Sequence, residues 1–429
     1  MNLIEELRWR GMIQDMMPGT EEQLQKEMTS GYIGFDPTAE SLHIGSLVPI
    51  LLLVHLQKAG HKPIALIGGA TGMIGDPSGK SEERNFLSEE TLNKNLAGIK
   101  AQLEKYIDFD PSLRNCAELV NNYDWFKPIS FIDFLRDAGK HITVNYMMAK
   151  DSVKRRIEGE VGLSYTEFAY QLMQGYDFYW LYKNKNCKLQ MGGSDQWGNI
   201  TTGTELIRRK AGGEAVAFTC PLIKKADGTK FGKTEQGNVW LDPNRTSPYQ
   251  FYQFWLNASD EDAANWIKIF TFLDQPEINI ISEENKKDPG KRLLQKRLGE
   301  EITKFVHGPG EFHKAKRASE FLFGSEKDGS FLRQIDEKLF LDIFMSVPIH
   351  NILKEKTNNA GINILDFLVE TKILSSKGEA RKLIQGNGIS INKWTVNRVE
   401  YNVTYDDILF DKYITIQKGK KNYYLVKTI

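Results

Sequence analysis

The most constraining feature of this sequence is a strand, a helix and a second strand that follow one another near its N-terminus. Residues 31–35 have the apolar composition of a short buried strand, and residues 36–38, Asp-Pro-Thr, end it before a helix predicted over residues 47–58. Gly60 is typical of a helix end. Residues 63–67 predict the second strand, so the three elements fit within about forty residues, the size of a parallel βαβ unit.

Two further strand candidates favour an α/β fold. Residues 117–120 and 188–191 are short runs that contain apolar side chains, and helical stretches separate them from their neighbours. Strands that alternate with helices are typical of a parallel sheet covered by helices. We therefore predict a Rossmann-type α/β domain with a parallel sheet over residues 1–234, including a lysine-containing loop at residues 225–234.

The rest of the chain has two different patterns. Residues 247–323 have mostly helical spacing with mixed charges, which predicts a helical domain over residues 235–325. The polar segment 324–330 is bounded by glycines and is the candidate linker. A small α+β domain is predicted within residues 326–429, with its core over about 362–429. Its predicted elements are two short helices within residues 367–384 and strands at residues 389–391, 413–416 and 423–426.

Length and charge narrow the classes of function. A chain of 429 residues can form two or three domains, each with its own core. With 41% hydrophobic and 26% charged residues it is neither collagen-like nor wholly disordered. The formal net charge is zero, but residues 362–429 hold 11 Lys and Arg against 7 Asp and Glu, whereas the rest holds 45 against 49. The basic C-terminal region favours a contact with nucleic acid.

Three further sequence features indicate whether the protein binds a structural metal and where in the cell it is found. Cys116, Cys187 and Cys220 are odd in number and widely spaced, which favours reduced thiols over a disulfide framework or a zinc site. The longest apolar run, residues 48–56, is too short to cross a bilayer. The first residues include acidic side chains where a signal peptide would carry positive charge. We expect a cytoplasmic protein without a structural metal or a membrane partner.

The tetrapeptide His43-Ile44-Gly45-Ser46 lies where the first predicted strand leads into the first long helix. In an α/β sheet this is the crevice in which ligands bind, and helix N-terminal amides there favour phosphate. Gly45 would let a nucleotide approach the backbone closely. The alternative is structural: His43 caps the helix and Gly45 eases a turn, and the tetrapeptide alone supports both interpretations equally.

A second candidate motif is Lys230-Phe231-Gly232-Lys233-Thr234, which follows Ala226-Asp227-Gly228-Thr229. A loop with two lysines and a hydroxyl can close over a triphosphate and neutralise the charge that builds on departing pyrophosphate. Taken alone, the segment is more simply explained as a solvated basic loop. Whether this segment binds a triphosphate must therefore be judged together with the first motif.

Together the two motifs resemble the paired signatures of class I aminoacyl-tRNA synthetases, and the sequence between them resembles the tyrosyl enzymes of bacteria. The matching stretches are residues 31–47, 68–80, 165–178, 190–199 and 225–234. The resemblance reaches the end of the chain, because residues 376–384 and Ile391-Asn392 are similar to an S4-like RNA-binding domain. It implies a tyrosine–tRNA ligase that activates tyrosine with ATP and then transfers it to tRNA(Tyr).

The resemblance implies roles for five residues of a tyrosine site. Tyr32 and Asp177 would bind the phenolic hydroxyl, which needs both a donor and an acceptor. Asp76, Tyr170 and Gln174 would hold the ammonium group, for which a carboxylate and oriented oxygens are suited. The spacing of Tyr170 and Gln174 is also that of one helix face, so simple packing is the alternative for this pair.

Further residues are implied around the tyrosine site and in an adjacent ATP site. Asn121 or Asn122 would support the tyrosine site. Asp36, Asp195 and Gln196 would lie near the ATP ribose and the reacting carboxylate, and Gln196 would also belong to the tyrosine site. The residues implied for ATP binding are Gly34, Asp36, His43, Gly45, Gly192, Asp195 and Lys233.

The implied chemistry is attack of the tyrosine carboxylate on the α-phosphate of ATP. Because a carboxylate is already ionised at neutral pH, no general base is needed, and catalysis is positioning plus electrostatic stabilisation. Mg²⁺ is expected to accompany ATP. The implied catalytic residues are His43, Ser46, Lys80, Arg84, Lys230, Lys233 and Thr234, with Lys80 and Arg84 reaching the pyrophosphate.

One position departs from the family pattern. The first signature usually ends in a second histidine, and Ser46 takes its place here. A serine hydroxyl can still donate a hydrogen bond, but its side chain reaches less far. We expect a smaller contribution from position 46 and an intact activity.

Two rival functions fit parts of the sequence. An RNA-binding protein that kept the fold and lost catalysis is disfavoured by the presence of His43, Lys230, Lys233 and the implied tyrosine contacts. A cofactor adenylyltransferase with the same phosphate motif is disfavoured because such chains are short and would not need an RNA-binding tail. The resemblance also implies a homodimer, whose interface we predict in the stretch before Tyr170.

Overall fold

The computed structural model describes most of the chain. The described residues are 2–76, 78, 88–159, 162–229, 231–234, 237–323, 329–345, 347–358, 360–419 and 422–429. Three residues with implied catalytic roles, Lys80, Arg84 and Lys230, lie outside them. For Lys233 and Thr234 only the backbone is described.

Helices and strands alternate through the first half of the chain. Up to residue 238 the elements are α1 (Leu3–Trp9), α2 (Thr20–Lys26), β1 (Ser30–Phe35), α3 (Leu47–Lys58), β2 (Lys62–Ile67), α4 (Thr71–Ile74), α5 (Glu89–Leu103), β3 (Glu118–Asn121), α6 (Tyr123–Phe126), α7 (Phe131–Asp137), α8 (Val144–Met148), α9 (Asp151–Ile157), α10 (Tyr165–Lys185), β4 (Cys187–Gly193), α11 (Trp197–Ala211), β5 (Val216–Cys220), β6 (Lys233–Thr234) and β7 (Gly237–Asn238).

Helices dominate the next stretch, and a second sheet forms near the end. The elements are α12 (Pro248–Leu256), α13 (Asp260–Phe270), α14 (Gln275–Lys287), α15 (Leu293–His307), α16 (Pro309–Phe323), α17 (Ser330–Gln334), α18 (Glu337–Ile343), β8 (Ile349–Ile352), β9 (Ile362–Asn363), α19 (Ile364–Glu370), α20 (Lys377–Gln385), β10 (Ile389–Ile391), β11 (Trp394–Thr395), β12 (Asn402–Val403), β13 (Tyr413–Lys418) and β14 (Asn422–Thr428). Among the described residues, no helix is both long and apolar enough to span a bilayer.

The chain divides into two compact units. One comprises Met1–Thr246 with Trp255–Val306, and the other comprises Ser247–Phe254 with His307–Ile429. The predicted three-part division, with boundaries near residues 234 and 325, stays a prediction.

The first unit is built on a parallel five-stranded sheet in the order β3-β2-β1-β4-β5. Strand order reverses between β1 and β4, and in such sheets ligands bind outside the carboxyl ends of the strands at this switch point. Helix α3 is apolar on nearly every side because it packs against β1, β2, β4 and α13. The predicted Rossmann-type fold is confirmed, and β5 is a strand that the sequence prediction omitted.

The outer edge of β5 is covered by the N-terminal segment. The amide of Gln14 donates to the carbonyl of Thr219 at 2.7 Å, and the amide of Thr219 donates to the carbonyl of Asp15 at 2.7 Å. The amide of Met17 donates to the carbonyl of Ala217 at 2.9 Å. Because a free strand edge can pair with other chains, this segment protects the sheet on that side.

The second unit contains a five-stranded sheet in the order β11-β10-β13-β14-β8. Strand β8 pairs parallel with β14, and the other pairs are antiparallel. Helices α19 and α20 supply one side of its core, with Phe367, Leu368 and Ile384 buried against Ile414 and Ile416 of β13. The predicted small α+β domain is confirmed.

A buried ion pair joins the segment before α10 to α10 itself. The guanidinium of Arg156 donates to both carboxylate oxygens of Glu167, at 2.9 and 2.7 Å, and its Nε donates to the carbonyl of Gly162 at 3.1 Å. The side chains are only 7% and 4% exposed. A buried charge of this kind is tolerated because its partner neutralises it.

We expect Glu167→Gln to lower the free energy of unfolding by about 3 kcal/mol, because Arg156 would then keep a buried charge without a carboxylate. Urea denaturation followed by tryptophan fluorescence measures the change. The matched control is Glu283→Gln, which removes an exposed ion pair with Lys286 and should cost less than about 1 kcal/mol. Equal effects of the two substitutions would contradict this assignment.

Candidate active site

The carboxyl ends of the central strands and one face of α10 bring the predicted polar residues together. Carboxyl ends of parallel strands meet at one edge of a sheet, and positions three and four apart share a helix face. From the strands and the segments that follow them come Tyr32, Asp36, Thr71, Asp76, Asn121, Asn122, Gln190, Gly192, Asp195 and Gln196, and from α10 come Tyr170, Gln174 and Asp177.

Two buried polar atoms at this end of the sheet have no hydrogen-bond partner among the described residues, Tyr32 Oη and Gln190 Oε1. The two residues are 1% and 2% exposed and lie opposite each other in the register of β1 and β4. An unpaired buried polar group costs about 1–3 kcal/mol, so such atoms mark a place where a polar ligand group would be received. Burial, together with the charge of Asp177, raises the pKa of Tyr32 well above its usual value, which keeps its hydroxyl protonated as a donor.

Asp177 is a buried carboxylate that two donors hold in place. Asn122 Nδ2 donates to one carboxylate oxygen at 3.1 Å and Trp125 Nε1 donates to the other at 2.8 Å. Burial raises the pKa of Asp177 to about 8, although these two hydrogen bonds act in the opposite direction. Of the two asparagines left open by the sequence, Asn122 is the one that contacts Asp177, whereas Asn121 accepts a hydrogen bond from the amide of Gly69 at 3.2 Å.

A second polar group surrounds Asp76. Gln196 Nε2 donates to Asp76 Oδ2 at 2.6 Å, and the amide of Ser78 donates to Oδ1 at 3.0 Å. Asn199 Nδ2 donates to Gln174 Oε1 at 3.0 Å and lies 3.3 Å from Gln196 Oε1. Asn199 therefore ties α11 to the predicted ammonium-binding residues.

A hydrogen-bonded chain connects Tyr170 with the Asp177 carboxylate. The Tyr170 hydroxyl donates to Asp36 Oδ2 at 2.9 Å, and the Thr71 hydroxyl donates to Asp36 Oδ1 at 2.8 Å. Asn122 Nδ2 donates to Thr71 Oγ1 at 3.0 Å as well as to Asp177. Asp36, implied for ATP, and Tyr170, implied for the ammonium group, are thus in direct contact.

The first signature forms a 3₁₀ turn over Ile44–Ser46 that precedes α3. Exposed His43 caps this turn, because its Nδ1 accepts a hydrogen bond from the amide of Gly45 at 3.0 Å. A Cβ at Gly45 would lie 2.7 Å from His43 Cε1, so only glycine allows the imidazole to fold over the backbone here. The Ser46 side chain makes no capping hydrogen bond to α3.

The second signature is fastened to the first by backbone hydrogen bonds. The amide of Ile44 donates to the carbonyl of Val239 at 2.8 Å, and the amide of Val239 donates to the carbonyl of Gly232 at 3.1 Å. Gly232 has a φ of +80°, and a Cβ there would lie 2.5 Å from Ile44 Cγ2. Glycine at position 232 therefore permits both the turn and the close approach of the two motifs.

Phe231 anchors the second signature in an aromatic cluster. Its buried ring stacks on Phe270, with centroids 5.2 Å apart, and contacts Trp266 and Trp255 edge-on or tilted. After it, β6 and β7 pair as a short antiparallel hairpin. The apolar member of the motif thus holds one end of the lysine-containing loop.

The other predicted ATP residues lie on or after β1 and β4. Gly34 is an exposed position of β1, and Gly192 lies on β4. Burial and the nearby charge of Asp76 raise the pKa of Asp195. Within the described part of the chain, no group of three or more His, Cys, Asp or Glu side chains is arranged to hold a metal ion.

Four site residues were missed when the sequence was considered alone: Thr71, Trp125, Gln190 and Asn199. Three of them fall inside stretches that match the family pattern, which is a signal that could have identified them. Trp125 falls outside those stretches and reaches Asp177 from 52 positions away in the chain, so only the fold could reveal its contact.

Comparison with known proteins identifies relatives of this chain. A family model described as tRNA synthetases class I (W and Y) matches residues 24–324, and one described as a tyrosine–tRNA ligase C-terminal domain matches residues 340–426. The chain is 60% identical to the tyrosine–tRNA ligase of Porphyromonas gingivalis, covering 99% of each chain. It is 59% identical to that of Flavobacterium johnsoniae, covering 100% of each chain. The truncated mitochondrial tyrosyl-tRNA synthetase of Aspergillus nidulans is similar in structure, with a TM-score of 0.68 and 30% identity over 75% of this chain and 94% of that one.

We expect Trp125→Phe to raise the pKa of Asp177 above the value of about 8, because the lost Nε1–H donor favours the ionised carboxylate. The midpoint of the Asp177 titration is measured by ¹³C NMR with labelled aspartate carboxyl groups. The signal of Asp177 is assigned by its absence from the spectrum of Asp177→Asn. Trp266→Phe is the matched control, since Trp266 is also buried but packs against Phe231 and makes no contact with Asp177 among those described. A midpoint in Trp125→Phe that is unchanged or lower would contradict the role of the indole donor.

Proposed function

This chain belongs to the class I tRNA synthetases, in the tyrosine–tRNA ligase family, and from that premise we propose how its residues perform the reaction. It activates tyrosine with ATP to form tyrosyl-adenylate and pyrophosphate, and then transfers tyrosine to tRNA(Tyr). One observation carries the residue assignments: the unpartnered, buried hydroxyl of Tyr32 lies within electrostatic range of the Asp177 carboxylate.

The phenolic hydroxyl of tyrosine is bound between Tyr32 and Asp177. Tyr32, kept protonated by its raised pKa, donates to the substrate oxygen, and the substrate hydroxyl donates to Asp177. Asn122 and Trp125 donate one hydrogen bond each, which leaves acceptor capacity on the Asp177 carboxyl group. Phenylalanine would leave the buried Tyr32 hydroxyl without a partner and would give Asp177 no hydrogen bond beyond those from Asn122 and Trp125, so the site favours tyrosine.

The ammonium group of tyrosine is bound by Asp76, Tyr170 and Gln174. Support comes from the polar network that already orients the Asp76 carboxylate and the Gln174 carbonyl. Gln196 serves the same network and faces the reacting carboxylate. A cation in this position replaces no existing ion pair, since the described partners of Asp76 are neutral groups.

The ATP site is proposed at the first signature and the ends of β1 and β4. The residues are Gly34, Asp36, His43, Gly45, Gly192, Asp195 and Lys233. His43 and the second signature stabilise the charge that develops as tyrosine carboxylate attacks the α-phosphate and pyrophosphate leaves. Ser46, Lys80, Arg84, Lys230 and Thr234 complete the proposed set, and Mg²⁺ enters with ATP as part of the substrate.

The wider organisation is also a proposal. The division into residues 1–234, 235–325 and 326–429 assigns the last segment to gripping tRNA, which the excess of Lys and Arg over residues 362–429 supports. Such a grip should weaken as salt rises. We place the protein in the cytoplasm, because translation there consumes its aminoacyl-tRNA product.

A homodimer is proposed through the surface of α7, α8 and the start of α10. Four large apolar side chains of this region are more than half exposed, Phe131, Ile132, Val144 and Tyr165. Several large apolar side chains exposed within one region of the chain support an association site there. It lies in the stretch before Tyr170, where the resemblance predicts the interface.

We expect Tyr32→Phe to reduce the preference for tyrosine over phenylalanine about tenfold in kcat/KM, because one of the two proposed hydroxyl contacts is lost. The measurement is amino-acid-dependent exchange of radiolabelled pyrophosphate into ATP. Tyr106→Phe is the control, since that buried ring packs on Phe305 and contacts none of the proposed site residues among the ring pairs described. An unchanged ratio would make Tyr32 a packing residue, and exchange driven by another amino acid, or by none, would refute the function itself.

We expect the double substitution Phe131→Gln and Ile132→Gln to raise the dimer dissociation constant at least about 100-fold. Each large apolar side chain contributes about 1.5–3 kcal/mol when buried, and a twofold interface contains each one twice. Sedimentation equilibrium measures the constant. Ile280→Gln, at an exposed apolar position of α14, should leave it unchanged, and a variant dimer as stable as the wild type would place the interface elsewhere.

A further inference from the structure

Arg245 brings a guanidinium close to the first signature, and none of the roles assigned above uses it. Its central carbon lies 3.7 Å from the centre of the Trp240 ring, a cation–π contact that restricts the side chain. The side chain is exposed. Among the described residues it has no hydrogen-bonding or ion-pair partner.

The turn that carries Arg245 is fixed to the residue that precedes the first signature. The amide of Leu241 donates to the carbonyl of Leu42 at 2.9 Å. The amide of Trp240 donates to Thr246 Oγ1 at 2.9 Å, which closes the turn. Residues on both sides of Arg245 are therefore held, and the position of its guanidinium is set by the fold.

Trp240 contacts both Arg245 and His43. The backbones of Trp240 and His43 form a β-bridge, and their rings meet edge-on with centroids 6.3 Å apart. Arg245 lies over the face of the same indole, so the guanidinium and the imidazole share Trp240 as a neighbour. Two groups suited to phosphate are thus presented on the same exposed rim.

Glu40, an acidic side chain that interacts with Arg245, is already paired with another cation. Glu40 is within electrostatic range, but its carboxylate is bonded to Lys94 Nζ at 2.8 Å, and Lys94 is the main cause of its lowered pKa. Two cations therefore flank one carboxylate on this rim. The excess positive charge is available to an anionic ligand.

We propose that Arg245 is a further phosphate-binding residue, whose guanidinium contacts the polyphosphate of ATP during adenylate formation. The proposal rests on the proposed function, which assigns His43 to the triphosphate. A planar guanidinium matches the paired oxygens of a phosphate and stays charged at every working pH. Stacking on Trp240 orients the group and leaves its N–H donors available, so it can stabilise the charge of the leaving pyrophosphate.

The experiment measures tyrosine-dependent pyrophosphate exchange with the full-length protein as ATP is varied. Arg245→Gln should raise KM for ATP roughly tenfold or more, because a hydrogen bond to a charged group is lost. KM for tyrosine should stay within about twofold. Arg245→Lys should reverse part of the increase in KM for ATP, since it restores the positive charge but not the paired N–H donors of the guanidinium. The matched control is Arg317→Gln, which removes a guanidinium stacked on Phe331 in the other unit and should change neither constant.

Three results would overturn the proposal. An unchanged KM for ATP in Arg245→Gln would show that the guanidinium does not contact the polyphosphate. Normal exchange with impaired charging of tRNA would assign it to RNA instead. Equal losses for ATP and tyrosine would mean that the turn itself is disturbed. Failure of the proposed function is distinguishable, because the wild-type protein would then show no tyrosine-dependent exchange.

Discussion

Burial of the Asp177 carboxylate is the constraint on which the amino-acid site depends. A carboxylate removed from water needs donors at defined positions, and here they come from Asn122 and Trp125 at the end of β3 and in α6. Trp125 is itself held by stacking on Trp180, which lies one helical turn beyond Asp177 on α10. Helix α10 thus supplies the Asp177 carboxyl group and also the ring that positions its donor, Trp125. The pocket therefore requires that α10 and the sheet stay aligned in this way.

A second constraint joins two motifs that lie almost two hundred positions apart. Backbone pairing connects Ile44 with Val239, and Val239 with Gly232, while Phe231 anchors the second motif in aromatic packing. The glycines at positions 45 and 232 are required by these contacts: one gives space to the His43 ring, and the other lets the chain pass Ile44. Residues assigned to phosphate are therefore positioned by backbone and apolar contacts before any nucleotide arrives.

The elements with local signals could be predicted from the sequence, and those that depend on distant contacts could not. Strands β1 and β2 and helix α3 were predicted because apolar runs and turn residues define them within a few positions. Strand β5 was omitted, since its five residues have no alternation that distinguishes them from a loop. In the site, Tyr32 and Asp177 were identified through family resemblance. The hydrogen bond from Trp125 to Asp177, and the one from Tyr170 to Asp36, join residues 52 and 134 positions apart, and no local pattern encodes them.

Because residues 14–17 pair with β5, the edge of the sheet cannot be completed until β5 has been synthesised. On the ribosome the N-terminal segment emerges first, whereas Ala217 and Thr219, its partners, follow some two hundred residues later. Strand β1 likewise gains its neighbour β4 only after α10 has been synthesised. The nascent sheet must therefore wait with one side of its central strand unpaired, and that period is when the growing chain is most exposed to association with other chains.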